Sequence, residues 1–377
     1  MKIVHVIVGL GRGGAEMMLR HLIETSLRTK SDNNHCVISL TDLGFHGPIL
    51  QKQGVSVYEM GMRSPKDFLR SAWRLIFLLR KIKPEILQTW MVHADLIGGT
   101  AARLAGIKHV IWGVHSTDYS VESRSTQVLR WLCSPLSYLI PSKVVCVAQS
   151  SLNASVDAGY AAQKMIVINN GFDVEALRQQ RNPVGAIRAM AGIAPDELII
   201  GCLGRFNPAK DHANFVKAAG LLAAKYPKSR FLMVGRNLDA ANIALRSLIS
   251  ATGYENRFIL LGERADAAAC IDAMDVFVLS SCTEAFPMVL GEAMALGIPC
   301  VTTNVGDSAL LLGDAGELVP PRDSLALAAA VSRILDLTAV ERKALGHKGS
   351  KRVEECFTML AALERFDELY TSLVSMR

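Results

Sequence analysis

Apolar positions along this chain follow two alternating rhythms. Short runs rich in Val, Ile and Leu read as strands buried on both faces. Between them, apolar residues recur every third or fourth position, the spacing of a helix with one side on a core. Strands are predicted at 2–8, 36–40, 55–58, 86–89, 109–112 and 143–147, with helices opening near Gly14, Pro65, Val92, Ser123 and Ser150. The run 165–168 closes this half on Asn169-Asn170-Gly171, turn chemistry after a strand. The pattern restarts with a strand at 198–203 and a helix over 214–225. Strands at 230–234, 257–261, 275–280 and 300–303 follow, then helices from Ser324 to the end. The stretch 178–194, with Pro183, Gly185 and Gly192, reads as a loop and short helix. Such alternation means an α/β chain with doubly wound parallel sheets covered on both faces. At 377 residues the chain is too long for one ordinary core and divides into two domains, 1–169 and 170–358. Ligands of such sheets bind at the carboxyl ends of the strands, so the loops there hold the candidate chemistry.

Residues 283–299, Thr-Glu-Ala-Phe-Pro-Met-Val-Leu-Gly-Glu-Ala-Met-Ala-Leu-Gly-Ile-Pro, are the most clearly punctuated. Pro287 suits the first helical position, Gly297 the residue just past the helix end, and Pro299 blocks continuation. The N–H groups of Met288, Val289 and Leu290 then point out of an amino end that attracts anions, phosphate above all. Glu284 lies just outside that end, and Glu292 lies on the helix seven residues further on. Carboxylates accept hydroxyls and repel phosphate. The pattern therefore suits a ligand that is phosphate in one part and polyhydroxyl in another, a nucleotide sugar. Val289, Leu290, Ala293, Met294 and Leu296 make this helix apolar nearly all round, hence buried, and a charge at Glu292 needs a partner. Upstream, Gly204-Arg205-Phe-Asn-Pro-Ala-Lys210 leaves a buried strand just before a helix. Arg205 can grip two oxygens at once and Lys210 adds a point charge, which together make a diphosphate clamp.

Three further strand ends carry polar groups. Gly9-Leu-Gly11-Arg12-Gly13-Gly14 is Gly-x-Gly-x-x-Gly between a strand and a helix, the dinucleotide fingerprint. It supports a rival reading, an NAD-dependent oxidoreductase with Asp42 as the ribose-binding acid at a rather long spacing. That reading leaves Arg205, Lys210 and the Glu pair unexplained. Thr89-Trp-Met-Val-His93-Ala-Asp95 and Trp112-Gly-Val-His115-Ser-Thr-Asp118 offer His93, Asp95 and His115.

The form Glu284-Ala-Phe-Pro-x3-Gly-Glu292-Ala-Met-Ala resembles the Glu-x7-Glu motif of glycosyltransferase family 4, retaining enzymes of the GT-B fold. Gly204-Arg205-x4-Lys210 resembles the same family's Gly-Arg-x4-Lys signature, and the order of the two is right. Gly13-Gly14-Ala-Glu resembles its first glycine loop, which faces the donor. The resemblance implies two Rossmann-like domains facing across a cleft, with the last helix, within 359–377, packing back on the first domain. It implies a donor site of Gly13, Gly14, Arg205, Lys210, Glu284, Phe286, Pro287, Met288, Val289 and Glu292. There Glu284 lies by the sugar and Glu292 holds the ribose. Gly262, Glu263 and Arg264 resemble the segment that contacts the base, mostly through backbone. His115 resembles the family histidine that reaches donor sugar and acceptor; His93 and Asp95 are further acceptor candidates. Catalysis would rest on Glu284, His115, Arg205 and Lys210. Ala285 stands where Gly is usual and Met288 where Asn is frequent, departures that bear on which sugar is used. The implied activity moves a hexosyl or N-acetylhexosaminyl group from a nucleotide-diphosphate sugar, a UDP-sugar in the first instance, to a hydroxyl of a glycan or lipid-linked acceptor. The setting implied is surface polysaccharide or glycan assembly. A sugar-nucleotide 2-epimerase on the same scaffold and a non-enzymatic sugar-binding protein are the other readings.

Composition narrows this further. The net charge of +6 is compatible with an anionic substrate or membrane surface, but no long basic run with interleaved aromatics marks a nucleic-acid binder. No Asp-x-Asp occurs, the motif that holds a metal against diphosphate in the other main glycosyltransferase fold, so neither metal nor cofactor is expected. Eight cysteines lie scattered among apolar residues without a Cys-x-x-Cys, which fits a reducing cytoplasm. The chain opens on a strand, and no apolar run approaches the length of a membrane span. In 65–83, Lys66, Arg70 and Arg74 recur beside Phe68, Leu69, Trp73, Ile76 and Phe77; Arg63, Arg80, Lys81 and Lys83 outnumber Asp67 and Glu85. Either this apolar stripe packs on the sheet, or the face rests on the anionic inner surface of a membrane.

Overall fold

The computed structural model describes residues 1–64, 67–117, 124–181 and 185–375. It divides into two compact units, Met1–Gly171 with Met359–Arg377, and Phe172–Thr358. The first unit holds β1 (Lys2–Ile7), β2 (Asn34–Ser39), β3 (Ser56–Glu59), β4 (Ile86–Trp90), β5 (His109–Val114), β6 (Lys143–Cys146) and β7 (Met165–Val167). All pair in parallel, in the order β3-β2-β1-β4-β5-β6-β7. The second holds β8 (Leu198–Leu203), β9 (Ser229–Val234), β10 (Phe258–Gly262), β11 (Val276–Leu279), β12 (Cys300–Thr303) and β13 (Gly316–Val319). Its parallel order is β10-β9-β8-β11-β12-β13. In each sheet the winding reverses once, between β1 and β4 and between β8 and β11. Loops leaving those neighbours diverge to opposite faces, which opens a crevice at the carboxyl edge.

The predicted strands recur with shifts of a residue or two, and β8 and β12 have the predicted ends. The alternation did not announce β13: Gly-Glu-Leu-Val holds only two apolar residues and lies at the sheet's edge. Pro65, Lys66, Asp118, Ser123 and Pro183 lie outside the described residues.

In the first unit, helix Met359–Ser375 turns Leu363, Phe366, Leu369 and Leu373 onto a core shared with Leu19, Leu22 and Ile23. Each such side chain contributes about 1.5–3 kcal/mol when buried. Tyr370 Oη donates to Gln88 Oε1 beneath it, so two buried polar groups satisfy each other. On the opposite face, helix Phe68–Ile82 buries Leu75, Ile76 and Leu79. The packing expectation therefore holds for one side of this helix only. Trp73 and Phe77 project from its other side and stay exposed.

In the second unit, helix Met288–Ala295 is enclosed as its sequence demands. Gly297 sits just past its end at φ 77°, and Gly297 N–H and Ile298 N–H donate to the carbonyls of Met294 and Ala293 at 2.9 and 3.0 Å. These two bonds close the helix terminus. Helix Ala339–Cys356 lies against it, closest at Gly346, where a Cβ would be driven into the Gly297 carbonyl oxygen. The backbone on both sides is fixed, so Gly346→Ala is expected to cost about 1–3 kcal/mol. The check is a lowered urea midpoint with an unchanged denaturant slope.

Candidate functional site

At the switch point of the second sheet, two loops are sewn together. The loop after β8 turns through Asn207, whose Oδ1 accepts from Ala209 N–H at 2.9 Å, and a short turn of helix at Pro208–Lys210. The loop after β11 donates Cys282 N–H to Ala209 O at 2.8 Å and Ser280 Oγ–H to Lys210 O at 3.0 Å. These bonds bring Lys210 Nζ to 2.6 Å from Glu284 Oε1, with both side chains mostly shielded. Ser281 Oγ donates to the same carboxylate oxygen, also at 2.6 Å. Gly306, at φ 54°, presses its backbone so close to Glu284 and Ala285 that any side chain there would strike their carbonyl oxygens. Arg205, on the same β8 loop, is exposed, and no group among the described residues pairs with it.

Helix Met288–Ala295 starts one residue later than predicted. Pro287 is its N-cap, in extended conformation, and its carbonyl accepts from Leu290 N–H at 3.1 Å. Leu290 is therefore not among the donors left for a ligand, contrary to expectation, and Val289 N–H is. Phe286 also departs from expectation. Its ring is buried, stacked on Phe172 at 6.1 Å and tilted against Phe357 at 5.8 Å. An apolar ring prefers that interior, so only its backbone remains for a ligand. Arg264 forks onto Asp266 with bonds of 2.8 and 2.7 Å, and Glu263 is exposed; Gly262, contrary to expectation, is buried with its backbone already used, its N–H donating to Leu238 O at 2.9 Å and its carbonyl accepting from Gly235 N–H at 2.7 Å.

Glu292 is buried, and its carboxyl has no partner among the described residues. Burial pushes its pKa up to about 7. An acid kept near neutrality in an apolar helix can donate or accept as a ligand requires.

In the first unit, helix Gly14–Arg28 opens at the glycine loop with Gly13 as N-cap. The Glu16 carboxylate folds back onto Gly13, into the space a Cβ would need. A carboxylate in that position repels the pyrophosphate that a dinucleotide site would place there. Asp42 Oδ1 accepts from Gly44 N–H at 2.9 Å and so serves its own turn.

His115 follows β5, stacked on Trp90 at 5.1 Å and 24°. Burial lowers its pKa to about 4, which keeps the ring neutral. Trp90 was not anticipated as part of a site; a Trp directly after a predicted strand was the available signal. Its Nε1–H donates to His5 Nδ1 at 3.3 Å, His5 Nε2 contacts His35 Nδ1 at 3.0 Å, and His35 Nε2 contacts Ser26 Oγ at 2.9 Å. The chain is consistent in direction only if both imidazoles are neutral, as burial makes them. Asp95 does not present itself to an acceptor, contrary to expectation. It is buried, accepts from Thr89 Oγ1 at 2.5 Å and Gly113 N–H at 3.2 Å, and so ties β4 to β5. His93 is half-buried in the first turn of helix Val92–Leu104.

Residues 197–337 match the family model "Glycosyl transferases group 1", and residues 12–176 match "Glycosyltransferase Family 4". The chain belongs to glycosyltransferase family 4. A UDP-Gal:α-D-GlcNAc-diphosphoundecaprenol α-1,3-galactosyltransferase of Escherichia coli is 25% identical over 313 residues, 81% of this chain and 80% of that one. The capsular polysaccharide biosynthesis glycosyltransferase CapM of Staphylococcus aureus is 23% identical over 313 residues, 81% of each. Among solved structures, Anabaena HepE in complex with UDP-glucose superposes with a TM-score of 0.84 at 22% identity, covering 99% of this chain and 100% of that one. This likeness establishes the GT-B fold. The glycosyltransferase assignment also leaves no use for the oxidoreductase reading, which rested on the glycine loop alone.

Glu292 supplies a test of this geometry in the family member at hand. Its folded pKa lies above its ordinary value, so between about pH 4.5 and 7 the folded state binds more protons than the unfolded state. Stability should fall as pH rises through that window. Glu292→Gln should remove a loss of about 3 kcal/mol at pH 8. Chemical unfolding of both proteins at pH 5 and pH 8 measures it.

Proposed function

We propose that this glycosyltransferase transfers a sugar, with retention of anomeric configuration, from a UDP-sugar to a hydroxyl of a glycan or lipid-linked acceptor in surface polysaccharide assembly. The observation that carries this reading is the Lys210–Glu284 pair, 2.6 Å apart beside the amino end of helix Met288–Ala295. One cation, one carboxylate and one set of backbone donors lie together where a sugar diphosphate needs all three. The UDP preference draws on the activity of the E. coli relative and the ligand of the Anabaena structure.

In the proposed reaction the acceptor oxygen bonds to the anomeric carbon as the bond from that carbon to the phosphate oxygen breaks. The acceptor's proton passes to the departing phosphate oxygen on the same face. Arg205, Lys210 and the Val289 N–H stabilise the charge that develops on the diphosphate, each charged contact contributing about 1.5–3 kcal/mol. Glu284, held by Ser281, accepts from sugar hydroxyls. Glu292 takes the ribose hydroxyls and is relieved of its isolation. In the first unit taken by itself, the neutral ring of His115, stacked on Trp90, can offer a hydrogen bond without adding charge.

Three measurements follow. UDP should raise the melting temperature, and NAD should not. Arg205→Ala and Lys210→Ala should each weaken UDP binding about 10–100-fold. Glu284→Gln should keep UDP binding but lose about 100-fold or more in turnover, with EDTA leaving wild-type turnover unchanged. Near-normal turnover of Glu284→Gln overturns its role, and an inverted anomer in the product, read by NMR coupling constants, overturns the same-face mechanism.

A further inference from the structure

Three helices lie side by side on one face of the first sheet. Phe68–Ile82 and Arg124–Leu136 both pack against Val92–Leu104. Arg80 Nη2 donates to Leu104 O at 3.0 Å on one side, and Cys133 Sγ lies 3.9 Å from Val92 O on the other. The outer helices present unusual stripes to solvent. On the first, Arg70, Trp73, Arg74, Phe77 and Lys81 fall at helical spacings of three and four, all exposed. Trp73 and Phe77 stack 6.1 Å apart at 58% and 61% exposure. On the second, Arg124, Val128, Trp131 and Leu132 repeat the arrangement, with Trp131 at 74% exposure. Tyr138 and Leu139, in the turn that follows, are exposed as well. Large rings are costly to leave in water, and these occur together rather than singly.

Among the described residues the charge on this face is almost all of one sign, the exception being Asp67, the N-cap residue at the start of the first helix, beside Arg70. Residues 68–84 and 124–156 contain no Asp or Glu, and the one acid of Val92–Leu104, Asp95, is buried. A second copy of the chain would set like charge against like. A neutral apolar partner would leave the arginines unanswered. Exposed indole and phenyl rings among Arg and Lys, with a single described acid at the helix start, match the headgroup region of an anionic bilayer, where rings enter the interface and cations meet phosphates. No helix among the described residues is long and apolar enough to cross a membrane, so the contact would be along the surface.

We propose that the face formed by helices Phe68–Ile82 and Arg124–Leu136 docks the enzyme flat on an anionic lipid bilayer, with Trp73, Phe77 and Trp131 entering the interface. This goes beyond the transfer reaction and stands whether or not the acceptor is lipid-linked, because its test reads partitioning and not turnover.

The test uses the full chain with vesicles of phosphatidylcholine alone and of equimolar phosphatidylcholine and phosphatidylglycerol. Sedimentation should carry the protein down with the anionic vesicles only, less so at high salt, with a blue shift in tryptophan emission. Arg70→Glu/Lys81→Glu and Trp73→Ser/Trp131→Ser should each weaken partitioning about tenfold or more. Both pairs are exposed, so the melting temperature and its rise with UDP should stay at wild-type values. Equal binding to neutral vesicles, no binding to anionic ones at low salt, or variants that partition like wild type would overturn the proposal. So would a dimer in gel filtration that Trp73→Ser/Trp131→Ser dissociates, since a second copy would then be the occupant.

Discussion

A lysine ammonium and a glutamate carboxylate held at 2.6 Å join two loops that are 74 residues apart in sequence. Each loop leaves a strand on one side of the reversal in the second sheet, and neither has a large core of its own. What fixes them is a short ladder of polar bonds, from Ala209, Lys210, Ser280 and Cys282, with the ion pair at its head. The pair also sets a condition on any anion that binds. A diphosphate must compete with Glu284 for Lys210, and a ligand that gives the carboxylate hydroxyls in exchange leaves neither charge stranded. On the proposed reading, recognition of phosphate and of carbohydrate would be coupled by that exchange.

Burial does the opposite work elsewhere. Glu292 and His115 are both pushed toward their neutral forms by loss of solvent, the acid upward and the imidazole downward. Neutral groups can meet hydroxyls without repelling or trapping phosphate. Taken unit by unit, the second carries both the charged Lys210–Glu284 pair and an acid pushed toward neutrality, and the first carries a neutral imidazole.

Sequence periodicity was sufficient for the alternation of strands and helices, because strands buried on both faces leave unbroken apolar runs such as Leu198–Leu203. It failed at β13, where an edge strand needs no such run. The spacing of Glu284, Glu292, Arg205 and Lys210 was legible too, since helix punctuation and charge are local properties. What could not be read was decided by packing. Phe286 turned inward because Phe172 and Phe357, more than seventy residues away on either side, offered it an aromatic bed. Asp95 was drawn into the interior by Thr89 and Gly113. The exposure of Trp73 and Phe77 depended on which side of their helix met the sheet, and an apolar stripe wide enough to go either way does not say.

Phe172 N–H donates to Phe357 O at 2.8 Å, and Phe172 and Thr358 form a parallel bridge. The second unit therefore begins and ends at one hydrogen-bonded point, with its whole sheet, its ion pair and its capped helix between. Topologically it is a cassette: an uninterrupted segment threaded into a host whose last helix is made only after the segment is complete. On the ribosome the first unit waits for its closing helix until everything in the second has been synthesised, so the portion bearing Lys210 and Glu284 has all its own pieces before its host does.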